Sequence, residues 1–144
     1  MNYDHIGQMI TIKIAEYGDH TALRYKHNEK WESLSYREFG EKIKSLACAL
    51  IKSGVKKGDS VGLYSANRYE WAVTDFACIL VGAISVPIYA TNTLDQAKFI
   101  IQDAKIKLIF VGNEEQYSNA ASIHNSGNSL KVISYDPKVK IDAG

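Results

Sequence analysis

The stretch from Val55 to Ala90, VKKGDSVGLYSANRYEWAVTDFACILVGAISVPIYA, limits the fold more than any other part of the chain. It is densely apolar and sharply punctuated. Val55-Lys56-Lys57-Gly58-Asp59 is a solvated turn, and Ser60 to Tyr64 is a short strand with Val61 and Leu63 on one face. Asn67 then stands as a helix cap, with Glu70 at the third helical position. In that pairing each side chain satisfies an otherwise orphan backbone N–H. The helix that follows, WAVTDFACILV, is apolar on nearly all sides, which calls for cover on both faces. Gly82 stops it, and Ala83 to Pro87 is a strand of the buried type leading into Ile88-Tyr89. Strand, helix and strand with short links form the unit of a parallel sheet.

The flanks extend the same alternation. Residues 3 to 17 carry Tyr3, Ile6, Met9, Ile10, Ile14 and Tyr17 on one helical stripe, and Gly18 offers the stop. Thr21 to Tyr25 and Lys30 to Leu34 read as a hairpin around residues 27–29. Ser35 and Glu38 make a capping box for a helix whose apolar face is Phe39, Ile43, Leu46, Ala47 and Leu50, closed by Gly54. Thr93 and Gln96 make another, opening a helix through Ala104. Lys107 to Val111 is a strand, Glu114 to about Asn125 a helix, and Leu130 to Ser134 a strand after a Ser126–Ser129 link. The pattern predicts an α/β fold, a parallel sheet with helices on both faces, preceded by an amphipathic helix and a short hairpin. The 144 residues fit one domain: 1–34 the helix and hairpin, 35–134 the α/β core, and 135–144 a tail with no structural signal.

Charge excludes some partners. With 17 basic and 16 acidic residues the net charge is +1, which gives no electrostatic reason to expect nucleic acid or an anionic membrane. No run approaches the ~18 apolar residues of a membrane span, and the first twenty residues lack the pattern of a signal peptide. Cys48 and Cys78 form no CxxC pair and read as two buried thiols of a reducing compartment.

Familiar reaction motifs are missing. There is no GxGxxG, no GxxxxGK[ST] and no GxSxG. Gly54, Gly58 and Gly62 serve a helix end, a turn and a strand rather than a phosphate cradle. His5, His20, His27 and His124 sit in unrelated segments and read as surface or satisfied groups. Asp75, the one charge inside the apolar helix, reads as solvent-facing or satisfied rather than functional. Arg68 reads as a helix-start residue and Trp71 as a core anchor, with an interface or site rim as the alternative. The best ligand-side candidate is Thr91-Asn92-Thr93, because open α/β sheets bind ligands at the carboxyl ends of their strands; a plain cap and turn is the simpler account. Asn67, Arg68, Tyr89, Thr91 and Asn92 are therefore the candidate loop residues for a ligand or an interface, and no catalytic or metal-binding residue is assigned.

At SerAlaAsnArgTyrGluTrp (65–71) and ValProIleTyrAlaThr (86–91) the chain resembles the N-terminal part of an acyl-CoA synthetase of the adenylate-forming, AMP-binding superfamily. Within that superfamily it is most similar to long-chain fatty acid–CoA ligases. LeuSerTyrArgGluPhe (34–39), LeuAlaCysAlaLeuIleLysSerGlyVal (46–55), LysLysGlyAspSerVal (56–61), GlnAlaLysPheIleIleGlnAspAlaLys (96–105) and LeuIlePheVal (108–111) match in the family's order. Tyr69 and Ala90 stand where relatives often carry proline. The resemblance implies ATP-dependent activation of a fatty acid: an acyl-adenylate and pyrophosphate form with magnesium, and the thiol of CoA then displaces AMP. The family's phosphate loop, adenylate site and mobile lysine match nothing here. The chain is thus expected to be an inactive N-terminal scaffold segment that binds no ATP, magnesium or CoA by itself. Its implied partners are the remainder of its own chain and, in the intact enzyme, fatty acid, ATP and CoA, with no nucleic acid. Severed surfaces predict self-association. The implied location is cytoplasmic, with a peripheral position at the inner membrane face as a further option. A stand-alone α/β module binding a nucleotide or a protein is the competing reading, and another acyl-activating ligase is the alternative within the family.

Overall fold

A computed structural model describes residues 3–125 and 129–139. The chain forms two compact units, one from Met1–Lys57 with Arg68–Ala83, the other from Gly58–Asn67 with Ile84–Gly144.

The first unit holds α1 (Ile6–Tyr17), β1 (Thr21–His27), β2 (Lys30–Ser35), α2 (Tyr36–Lys52) and α3 (Tyr69–Val81). Strands β1 and β2 form the expected antiparallel hairpin. Asn28 and Glu29 at its tip have φ of 47° and 66°, the left-handed pair that a two-residue hairpin turn needs. The Ser35 capping box is present in full: Ser35 N–H donates to Glu38 Oε2 at 2.8 Å, and Glu38 N–H donates to Ser35 Oγ at 3.2 Å. At the far end of α2, Gly54 adopts φ +90° and Val55 N–H donates to the Leu50 carbonyl, closing the last turn. Helix α1 is capped by His5, whose Nδ1 accepts from Gln8 N–H. It lies so close to α2 that a Cβ on Gly40 would come within 2.6 Å of Ile14 Cγ2.

Two expectations need correction here. The apolar stripe of α1 is narrower than its spacing suggests: Ile10 is buried, but Ile6 is 56% exposed. Helix α3 does not start from an Asn67 cap. Arg68 is the cap residue, in extended conformation and without a side-chain cap bond. The Glu70 carboxylate is held instead by the Arg68 guanidinium, with Nε to Oε2 at 2.9 Å and Nη2 to Oε1 at 3.0 Å. A charge-assisted fork outcompetes a neutral cap bond for the same carboxylate. Val73, Thr74, Ala77 and Cys78 are buried, the other residues of α3 are half-buried, Trp71 among them, and Leu80 alone is exposed.

The second unit is the parallel sheet. Strands β3 (Ser60–Tyr64), β4 (Ile84–Ile88), β5 (Leu108–Val111) and β6 (Lys131–Ser134) are ordered β4-β3-β5-β6, all parallel. Helices α4 (Leu94–Asp103) and α5 (Glu114–Asn125) complete it. Successive residues Val61 to Tyr64 and Leu108 to Val111 are all buried, so both faces of the two central strands are covered. This is the α/β parallel-sheet class that the alternation predicts. A Cβ on Gly62 would stand 2.8 Å from Ile109 Cγ1, so its lack of a side chain admits that isoleucine. Thr93 and Gln96 form the expected capping box of α4.

Strand β4 departs from the buried type. It lies at the sheet's edge, Ile84 is 54% exposed, and Pro87 is exposed too. Proline has no N–H to give a second neighbour, which suits an edge. The supposed tail also contributes structure: Tyr135 stacks on Phe110 with ring centroids 5.3 Å apart, and Val139 is 8% exposed within the core around Ile109, Ile123 and Leu130. Of the two cysteines expected to be buried, Cys78 is and Cys48 is exposed. The link through Ser126, Gly127 and Asn128, and the tail after Val139, lie outside the described residues.

Candidate functional site

The carboxyl ends of the parallel strands gather four loops of the second unit: Ser65–Asn67 after β3, Tyr89–Thr93 after β4, Gly112–Asn113 after β5, and Tyr135–Asp136 after β6. In open α/β sheets this rim is where ligands bind. Two buried polar side chains organise it. The Tyr64 hydroxyl donates to the Asn92 carbonyl at 2.8 Å and accepts from Asn119 Nδ2 at 3.2 Å. Gln116 is 2% exposed. Its Oε1 accepts from Gly112 N–H at 2.9 Å and its Nε2 reaches the Ala90 carbonyl at 3.5 Å. The Gln116 N–H donates in turn to Asn113 Oδ1 at 2.9 Å. One glutamine therefore straps the loop after β5 to the loop after β4.

Gly112 is required by space. A Cβ there would stand 2.5 Å from Ser65 Cβ and 3.2 Å from Ser65 Cα. Its N–H also donates to the Tyr64 carbonyl at 3.1 Å, which holds the β3 and β5 loops in contact.

Among the residues singled out from sequence, Asn67, Tyr89, Thr91 and Asn92 fall on two of these loops. Tyr89 is 80% exposed, Asn67 and Thr91 are exposed, and Asn92 is half-buried with its carbonyl on Tyr64. Arg68 belongs to the first unit. There burial opposes the charge of Glu70, but the paired Arg68 guanidinium and neighbouring hydrogen bonds hold its carboxyl below the ordinary glutamate value. Beside them the Tyr25 and Tyr69 rings lie 4.5 Å apart, and the Tyr25 hydroxyl, donating to Glu32 at 2.7 Å, is pushed up to about 12 by that bond. Asp75 is half-buried and has an interaction partner. Burial, with the Asp75 charge nearby, pushes the Cys78 thiol up to about 12, so it is inert while folded.

Sequence reasoning missed Tyr64, Ser65, Gly112 and Gln116. A glycine directly after the apolar run LeuIlePheVal was a usable sign of close backbone approach. Nothing in the sequence marked Gln116, whose partners come from other segments.

The rim offers hydroxyl, amide and phenol groups and one carboxylate, that of Asp136. No lysine or arginine stands among the four loops named above. Among the described residues no group of three or more His, Cys, Asp or Glu could hold a metal ion. The arrangement can fix loops and hydrogen-bond a ligand.

Comparison with known proteins extends this. The model for "AMP-binding enzyme" matches residues 11–143. The long-chain-fatty-acid–CoA ligase FadD15 of Mycobacterium bovis is 30% identical over 131 residues, 91% of this chain and 22% of that protein. The human long-chain-fatty-acid–CoA ligase ACSBG2 is 34% identical over 129 residues, 89% of this chain and 19% of its own length. The chain thus spans about a fifth of the length of the curated relatives it matches. Among solved structures, the A domain of a carboxylic acid reductase from Segniliparus rugosus, in complex with AMP and a co-purified carboxylic acid, superposes with a TM-score of 0.79 at 23% identity, over 92% of this chain and 24% of that one. That likeness establishes the fold. With the family model matched across nearly its whole length, the chain belongs to the AMP-binding enzymes.

Proposed function

We propose that this chain is the N-terminal scaffold segment of an ATP-dependent long-chain fatty acid–CoA ligase. The intact enzyme would join a fatty acid to ATP as an acyl-adenylate, releasing pyrophosphate, and pass the acyl group to CoA with loss of AMP. The observation that carries this reading is the pair of long-chain-fatty-acid–CoA ligases matched at 30% and 34% identity over some nine-tenths of the chain. ATP, magnesium and CoA would be held by the intact enzyme. Phosphoryl chemistry needs cations and positioned donors aimed at developing charge. The carboxyl-end rim lacks the cations, and the described residues offer no metal cluster, so no step is assigned to residues of this segment.

The segment's contribution is then positional. Tyr64, Gly112 and Gln116 tie together the loops that carry Asn67, Tyr89, Thr91 and Asn92, and Asn67, Tyr89 and Thr91 are exposed at the carboxyl ends of the strands. The remainder of the chain is its proposed partner, and the cytoplasm its proposed location. Expression of the complete reading frame that contains this segment tests the reading. The product should form acyl-CoA from long-chain fatty acids, ATP and CoA. A frame with nothing beyond these residues, or a complete product with no fatty-acid-dependent turnover, would overturn it.

A further inference from the structure

Helix α1 carries a histidine at each end, and the two rings are used in opposite senses. Helix caps are mostly the oxygens of Ser, Thr, Asp or Asn, whose acceptor role does not change near neutral pH. Here the cap is His5, in extended backbone conformation, and its Nδ1 accepts from Gln8 N–H at 3.1 Å. The Gln8 side chain answers it, with Oε1 accepting from Asp4 N–H at 2.7 Å. Because the partner of His5 Nδ1 is an N–H, that nitrogen must be unprotonated. At the far end, His20 Nδ1 stands 2.7 Å from the Tyr17 carbonyl. A carbonyl only accepts, so this nitrogen carries a hydrogen.

Acid therefore acts differently on the two ends. A protonated His5 has no lone pair left for Gln8 N–H, and it sets a cation at the positive end of the helix dipole. A protonated His20 keeps its bond to Tyr17, and its charge lies at the negative end. The turn that His5 caps sits against α3. Gly7 is buried, and a Cβ there would stand 3.2 Å from His5 Nδ1 and 3.4 Å from Ile79 Cγ2. The groove beside His5 is lined by Gly7, Gln8, Thr11 and Ile12 of α1 with Ile79 and Leu80 of α3, and none of these carries a charge. Asp4 is the neighbouring acid in the chain, while Lys13 and Glu16, about two turns on, pair with each other at 2.7 Å. We propose that the His5 cap is an acid-released latch: proton uptake by its ring frees the first turn of α1 from α3, while the last turn, tied by His20, stays closed. The inference stands on α1 and its packing and is independent of the ligase reading.

Amide hydrogen exchange of the 144-residue chain, read by NMR and corrected for the chemical exchange rate at each pH, provides the test. From about pH 7.5 to about pH 5.5, the range in which histidine side chains change charge, protection of the Gln8 and Met9 amides should fall. The fall should be roughly fivefold, the worth of one side-chain cap. The Gly18 amide, which donates to the Ile14 carbonyl at the far end, should keep its protection. His5→Asn supplies a cap that does not titrate in this range, so the acid response should vanish. His5→Ala should show the lowered protection already at neutral pH, and His20→Asn should leave the response of Gln8 and Met9 in place. The readout is residue by residue because His124 Nδ1 in the second unit also accepts a backbone bond, from Leu130 N–H at 3.2 Å. Circular dichroism verifies that each variant remains folded. Protection of Gln8 and Met9 that is indifferent to pH, an equal acid response in His5→Asn, or a Gly18 amide that opens in step with them would each overturn the proposal. So would wild-type protection of Gln8 and Met9 in His5→Ala.

Discussion

Replacing Gly112 with alanine tests the packing of the carboxyl-end rim. The added Cβ would stand 2.5 Å from Ser65 Cβ, 3.0 Å from Gln116 Oε1 and 3.2 Å from Ser65 Cα. Two of those neighbours are backbone or the first side-chain carbon, which cannot swing away. Overpacking of this kind costs about 1–3 kcal/mol, and a displaced Gln116 would forfeit a hydrogen bond of about 1 kcal/mol. Gly112 does not need positive φ, so alanine also restricts the unfolded chain and returns about 0.4–1 kcal/mol. The net expectation is a loss of roughly 2–3 kcal/mol, or about 5–10 °C in melting temperature for a chain of this size. Urea unfolding followed by far-UV circular dichroism measures it. Two companions separate the causes. Gly58 has φ +86° and nothing within 4 Å of an added Cβ, so Gly58→Ala should cost only about 1 kcal/mol of conformational strain. Ser65→Gly removes the 2.5 Å neighbour and should recover at least about 1 kcal/mol of the Gly112→Ala loss as a coupling energy. Gly112→Ala stability within about 0.5 kcal/mol of wild type, or strictly additive effects with Ser65→Gly, would refute the reasoning.

Other predictions rest on separate observations. Ser35→Ala removes the reciprocal cap of α2 and should destabilise by about 1 kcal/mol in the same denaturation assay, whereas Asn67→Ala, which caps nothing, should change stability by less than about 0.5 kcal/mol. The Ser35 N–H and hydroxyl hold Glu38 below its ordinary pKa, and the Arg37 guanidinium does the same for Asp19. Lowered carboxyls bind protons more readily in the unfolded state, so their contribution is present above the unfolded values near ~4 and is lost as pH falls through the folded ones. Acid titration of the unfolding midpoint should show that loss, shallower in Glu38→Gln. A thiol reagent should modify Cys48 in the native chain and Cys78 only after unfolding, read as one and then two thiols per chain. The exposed β4 edge, with Ile84 54% exposed, should make the isolated chain associate at high concentration despite Pro87, and a clean monomer by light scattering would count against that.

Local signals carried most of the fold. Ser35 with Glu38 and Thr93 with Gln96 are capping boxes because both partners lie within one turn, so spacing alone reveals them. Asn67 with Glu70 has the same spacing, but the adjacent Arg68 captures the carboxylate, a competition that spacing does not encode. The edge position of β4 followed from strand order, which is a long-range property, although Pro87 was a legible warning. Tyr135 and Val139 looked like tail because their partners, among them Phe110, are distant in the chain. The candidate site divides in the same way. Thr91 and Asn92 were found by their place after a strand, while Gln116 and Tyr64 could not be found, since their bonds to Ala90 and Asn92 span 26 and 28 residues.

The most direct test of the scaffold account is pyrophosphate release by the purified 144-residue chain, shown folded by circular dichroism and supplied with ATP, magnesium, CoA and a long-chain fatty acid. The account predicts no release above the protein-free rate, because the four loops Ser65–Asn67, Tyr89–Thr93, Gly112–Asn113 and Tyr135–Asp136 carry no lysine or arginine for a triphosphate. Robust fatty-acid-dependent turnover by this chain alone would contradict it.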